Sequence, residues 1–227
     1  MGVRGVAAGL VVVGVVVVGA VVADGAMRTR TEASLARTVM AELPGTDPTV
    51  SIGGTPFLLQ VLAGRLDDVE VTAPEATLDG LELEDVVVQL DGVSTARPTT
   101  AERATLTASL QPAALQAVLG LDAELSIDDG HLVATLLLLG IPVDVALEPH
   151  AAGRAITVDV VSLSLGGAQL DVEDLPGALA DQLTGLSVPV ESLPDGIELT
   201  EVGVAADGVH IVAVGTDVVL DALRTTG

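Results

Sequence analysis

The sequence has no cysteine, no lysine, no tryptophan and no tyrosine, and Phe57 is its single aromatic residue. Without cysteine there is no disulfide, no thiolate nucleophile and no cysteine-ligated metal, while the compartment stays open. One ring offers little on which to stack a sugar or a nucleobase, so aliphatic ligands suit this chain better. Cationic charge is scarce as well: nine arginines stand against 32 acidic residues, for a formal net charge of −23. No arginine cluster is available to neutralise phosphates, which argues against nucleic acid as a partner. The basic cluster that docks proteins onto anionic lipid is equally absent, so any membrane chemistry must be apolar.

Catalytic and metal motifs are also missing. His131, His150 and His210 do not stand at the spacing of a metal pair on one element. There is no Gly-x-Ser-x-Gly elbow and no phosphate-cradling glycine loop. Asp67-Asp68, Asp128-Asp129 and Glu173-Asp174 lack the spacing of a calcium loop and read as solvated turns and strand faces. A triad assembled from distant residues stays open, because triads are spatial rather than sequential. The expectation is a protein that is not an enzyme and carries no cofactor or metal.

What the sequence does have is aliphatic material: 49% hydrophobic residues and a mean hydropathy of +0.63. From Gly5 to Ala23 no residue is charged. As a helix this run would span about 28 Å, close to the roughly 30 Å hydrocarbon core of a bilayer. Residues 1–23 are therefore expected to form a membrane anchor, with cleavage as a signal segment after Ala23 as the alternative. Residues 24–30 then read as a linker and 31–227 as one α+β domain. Either way the remaining chain is expected to be exported to the cell envelope, tethered to the outer face of the cytoplasmic membrane through residues 5–23 or secreted after cleavage.

Thr29 to Leu43 reads as a helix, with Thr29 and Glu32 as a capping box and Leu35, Val39, Met40 and Leu43 as its stripe. Val50 and Ile52 suggest a short strand. Thr55 to Arg65 carries its own helix signals: Thr55 to cap, Pro56 at the first helical position and Gly64 past the end. Phe57, Leu58, Val61 and Leu62 fall on one apolar face, which two turns of helix must dock on something to keep.

Beyond Gly64 the pattern has period two, as in Val69, Val71 and Ala73 or Val209, Ile211 and Ala213. Asp-Gly pairs at 79–80, 91–92, 129–130, 195–196 and 207–208 signal hairpin turns. The apolar parity flips between Ala73 and Ala76, Leu83 and Val86, Val160 and Leu163, and Leu199 and Val202. Each flip is a bulge, which bends a strand, a break between two short strands, or a place where both faces are buried. Pro112 to Leu119 and Leu175 to Leu183 read as two further short helices. The apolar run Leu136 to Leu139, continued by Ile141 and Val143, suggests a strand covered on both faces.

The segment Pro56-Phe57-Leu58-Leu59-Gln60-Val61-Leu62-Ala63-Gly64-Arg65, followed by Val69-Glu70-Val71-Thr72-Ala73, resembles the signature of the actinobacterial LmeA-like family of exported phospholipid-binding proteins. Leu193-Pro194-Asp195-Gly196-Ile197-Glu198-Leu199, Asp207-Gly208-Val209 and Gly215-Thr216-Asp217-Val218 resemble that family's ending. The resemblance spans roughly residues 25–220. It implies a fold similar to tubular lipid-binding domains, a long curved antiparallel sheet wrapped around helices. It also implies a phospholipid or related envelope lipid as partner, in a role supporting envelope glycolipid assembly. The residues expected to contact lipid are Phe57, Leu58, Val61 and Leu62, with Arg65 toward a headgroup. The competing expectation is a structural or interaction protein of the envelope that holds no lipid.

Overall fold

The computed structural model describes residues 23–40, 47–78, 81–119, 123–128, 130–138, 141–165, 168–170, 186–190 and 193–220. The expected anchor up to residue 22, the expected helix Leu175–Leu183 and the end of the first helix near Leu43 lie outside them. Among the described residues no helix is long and apolar enough to cross a membrane.

Three helices and twelve strands are described: α1 (23–40), β1 (Thr49–Ile52), α2 (Phe57–Leu62), β2 (Arg65–Leu78), β3 (Leu81–Ser94), β4 (Thr100–Leu110), α3 (Pro112–Leu119), β5 (Glu124–Asp128), β6 (His131–Leu138), β7 (Ile141–Ala152), β8 (Ala155–Leu165), β9 (Ala168–Leu170), β10 (Leu186–Pro189), β11 (Ile197–Ala205) and β12 (Gly208–Val219). The protein is mostly antiparallel sheet with a few helices, as period-two patterning requires.

The strands form two sheets where one long sheet was expected. The first runs β1-β2-β3-β4-β12-β11, the second β10-β8-β7-β6-β5, with β9 on the same edge of β8 as β10. Inward residues of both share one core: Leu110, Val209 and Ala213 from the first sheet meet Leu132, Val145 and Val158 from the second. α3 adds the buried Leu115. Among the described residues the two sheets share this core, and an isolated bridge between Gly153 and Leu199 links them. A second, smaller cluster is built from β1 to β4 and α2 and holds Val50, Ile52, Phe57, Leu66, Val69, Val93 and Ala101. Leu35 and Ala36 of α1 pack on it.

Three of the four parity flips coincide with shifts of register. Pairing slips between Glu84 and Val87 on β3, at Val161 on β8, and between Leu199 and Glu201 on β11. Each inserts an extra residue, so the side chains beyond it change faces. The fourth flip differs. At Pro74 the β2–β3 register is unchanged, with Ala73 opposite Val86 and Glu75 opposite Glu84. Pro74 has no N–H to give the ladder there, and its opposite number, Asp85, takes φ 50°.

Some local expectations are corrected. Residues 24–30 lie inside α1, so they are helix rather than linker. Thr29 and Glu32 are not a capping box: the Thr29 hydroxyl donates to the carbonyl of Gly25, and the Glu32 carboxylate accepts the N–H of Ile52 at 2.9 Å, tying β1 to α1. Asp91-Gly92 sits within β3 rather than at a turn, and the last hairpin turns at 206–207, one residue early. Leu78 opposite Leu81 and Asp128 opposite His131 pair as two-residue hairpins require, although residues 79, 80 and 129 lie outside the described set. The apolar run from Leu136 is divided between two strands, β6 ending at Leu138 and β7 opening at Ile141, and Ile141 is half exposed rather than covered.

Candidate functional site

α2 is held by residues that its own sequence does not advertise. Thr55 is not its cap; Pro56 occupies that position and contributes no side-chain hydrogen bond. The capping acceptor is Asp24, 33 residues away on α1. One carboxylate oxygen accepts the N–H of Phe57 at 3.0 Å and the other the N–H of Leu58 at 2.6 Å. These are two of the orphan donors that every helix start presents. The Leu58 hydrogen bond is the main reason that the Asp24 carboxyl stays below its ordinary range; burial opposes this, while the Phe57 N–H and Arg28 add to it. Arg28, one turn on, stands 3.9 Å from Asp24 and donates to the carbonyl of Gly54.

The other end closes as the sequence predicts. Gly64 has φ +76°, the N–H of Ala63 donates to Leu59 O at 2.9 Å, and the N–H of Thr95 donates to Gly64 O at 3.0 Å. Between the ends, Gln60 turns inward and is 7% exposed. Its amide nitrogen donates to Gly53 O at 3.1 Å and its amide oxygen accepts the N–H of Asp67 at 2.9 Å. A polar side chain goes inside because both halves of its amide are satisfied there.

This choice rotates the helix. With Phe57 and Gln60 facing in, Phe57 is 2% exposed within the smaller cluster, so the expected lipid-facing ring packs against protein. The remaining apolar residues face out: Leu58 36%, Val61 42%, Leu59 60% and Leu62 82% exposed. The four residues expected on one face are thus divided, one in and three out, and Leu59 joins the outer group. Only the inward pull of Gln60 identifies Leu59, and helical periodicity alone would have placed Gln60 in water. Arg65 opens β2 beside the helix and forms a two-pronged pair with Glu102, at 2.6 and 3.0 Å, both side chains about half exposed. The arrangement presents aliphatic surface with a neutralised arginine at its margin, which suits an acyl chain rather than a polar substrate.

One constellation was not legible in the sequence. Ser109 Oγ lies 3.1 Å from His210 Nδ1, and His210 Nε2 lies 2.9 Å from Asp207 Oδ1. The residue types are those of a triad, but the surroundings differ. Ser109 sits in regular strand near the end of β4, paired with His210 on one side and Glu84 on the other. The Glu84 carboxylate, on the residue opposite Ser109, accepts a hydrogen bond from Gln111 at 2.8 Å. The hydrogen bond from His210 is the main reason that the Asp207 carboxyl lies below its ordinary range. These contacts make a cross-strand polar ladder on an outward face. Among the described residues no group of histidine and carboxylate side chains is arranged to hold a metal ion.

A family model described as LmeA-like phospholipid-binding matches residues 22–214. Neither a curated protein nor a solved structure matches the chain.

Proposed function

Because the chain belongs to the LmeA-like phospholipid-binding family, we propose that it holds a phospholipid or related envelope lipid in an apolar site lipped by Leu58, Val61 and Leu62, with Arg65 toward the headgroup. Phe57 takes a different role from the one first expected, pinning the helix from inside. The observation that carries this reading is the outward presentation of aliphatic side chains on a helix whose other face is locked. A dry aliphatic site needs few polar contacts to hold a lipid, since each buried methylene is worth about 0.8 kcal/mol and a 16-carbon chain on the order of 12 kcal/mol. The strand bulges support a sheet that bends around such a ligand.

On this reading the protein acts by binding rather than by catalysis. Residues 5–23 tether it to the outer face of the cytoplasmic membrane, where it supports envelope glycolipid assembly. Native mass spectrometry of the full chain released from detergent tests the binding step. Reproducible stoichiometric phospholipid is expected. A folded chain that stays empty after incubation with phospholipid contradicts the reading and leaves a structural or interaction role.

A further inference from the structure

α2 turns a crown away from the protein, with Leu59 60% and Leu62 82% exposed. These side chains cannot collapse inward, because Phe57, Gln60 and the Asp24 cap fix the helix's rotation. Asp24 is also the first charged residue after the uncharged run Gly5–Ala23. The residue that follows the run therefore caps the N-terminus of α2. The six residues of α2 span about 9 Å, and the polar layer on one side of a bilayer is roughly 5–8 Å deep. If the run is held in a bilayer, the crown lies at the depth of the headgroups. Met27, 45% exposed one turn along α1 from Asp24, adds apolar surface at the same end.

We propose that the outward face of α2, with Leu59 and Leu62 at its crown, docks on the surface of the phospholipid bilayer that holds the N-terminal run. This inference rests on the phospholipid-binding reading and adds to it a direction: the lip of the lipid site opens onto the membrane that supplies the lipid. The charge of the chain sets the character of the contact. At −23 it is repelled by anionic headgroups, so docking is apolar, favours zwitterionic lipid, weakens as anionic lipid is added, and recovers with salt.

The absence of cysteine gives a clean background for the test. Leu59→Cys and Leu62→Cys, each carrying a polarity-sensitive fluorophore, are compared in the full chain reconstituted into phosphatidylcholine vesicles. Ser126→Cys, exposed on β5 of the other sheet, is the control. The labels at 59 and 62 should shift to the blue, lose most of their quenching by aqueous iodide and be quenched by spin-labelled acyl chains, while the label at 126 does none of these. Replacing about a third of the lipid by phosphatidylglycerol at low salt should reverse part of the shift. Labels that remain as open to iodide as the control overturn the proposal. So do labels shielded from iodide but untouched by spin-labelled lipid, since the crown is then covered by protein, either the chain's own N-terminal run or a second copy. Native mass spectrometry of the unsubstituted full chain reports lipid loading separately. Retained phospholipid with no docking sinks this inference and leaves the binding function intact; docking with no retained phospholipid does the reverse.

Discussion

Truncating Phe57 separates a core role from a lipid-contact role more sharply than any other change in this chain. The ring is 2% exposed and is enclosed by Val50, Ile52, Leu66, Val69, Val93 and Ala101. Removing a buried phenyl group costs about 3–5 kcal/mol, because the lost transfer energy is joined by an unfilled cavity. Against a total stability on the order of 5–15 kcal/mol, that is a large fraction. At roughly 2–4 °C per kcal/mol for a chain of this size, Phe57→Ala should lower Tm by about 6–20 °C. Leu62→Ala, on the same helix at 82% exposure, should stay within about 0.5 kcal/mol of the wild type. Far-UV circular dichroism is the assay, since the chain lacks tryptophan and tyrosine for intrinsic fluorescence. Lipid retention is measured on both variants by mass spectrometry. The packing argument is refuted if Phe57→Ala melts within a few degrees of wild type yet loses its lipid, for then the ring lines the lipid site.

Further outcomes follow from single contacts. Asp24 has a folded-state pKa below its unfolded value, so the stabilisation it gives is complete above about pH 4 and is lost as pH falls through the folded value. The difference in urea midpoint between wild type and Asp24→Asn should therefore shrink on acidification; a difference that is constant from pH 6 to about pH 2.5 counts against the cap. In Gly215→Ala a new methyl would lie 2.6 Å from the backbone carbonyl oxygen of Gly196, which cannot swing aside. It should destabilise by about 1–3 kcal/mol, measured by thermal melts. Arg65→Ala breaks an exposed pair and should change stability by no more than about 1 kcal/mol. A drop in phospholipid affinity at unchanged Tm supports its headgroup role, and unchanged affinity removes it.

The bulges show how much of the fold could be read from the chain. An extra residue must invert the side-chain parity beyond it, so the flips at Leu83–Val86, Val160–Leu163 and Leu199–Val202 left their mark in the sequence. The flip around Pro74 left the same mark without a change of register between β2 and β3. The division into two sheets left none. Alternation reports that one face of a strand is buried, but it is silent on whether a helix or another sheet covers that face.

At α2 the division is clearest. Composition, period-two alternation and the Pro-Phe to Gly-Arg segment were enough to fix an antiparallel α+β protein, its family and the position of a short apolar helix, since these depend on residues near one another in the chain. Which side of that helix faces outward depended on partners far away in sequence. Asp24 caps it from 33 residues upstream, and Gln60 turns inward because Gly53 and Asp67 satisfy its amide. A buried polar group is stable only where its partners converge, and that convergence, which sent Phe57 into the core and Leu59 and Leu62 outward, belongs to the tertiary structure alone.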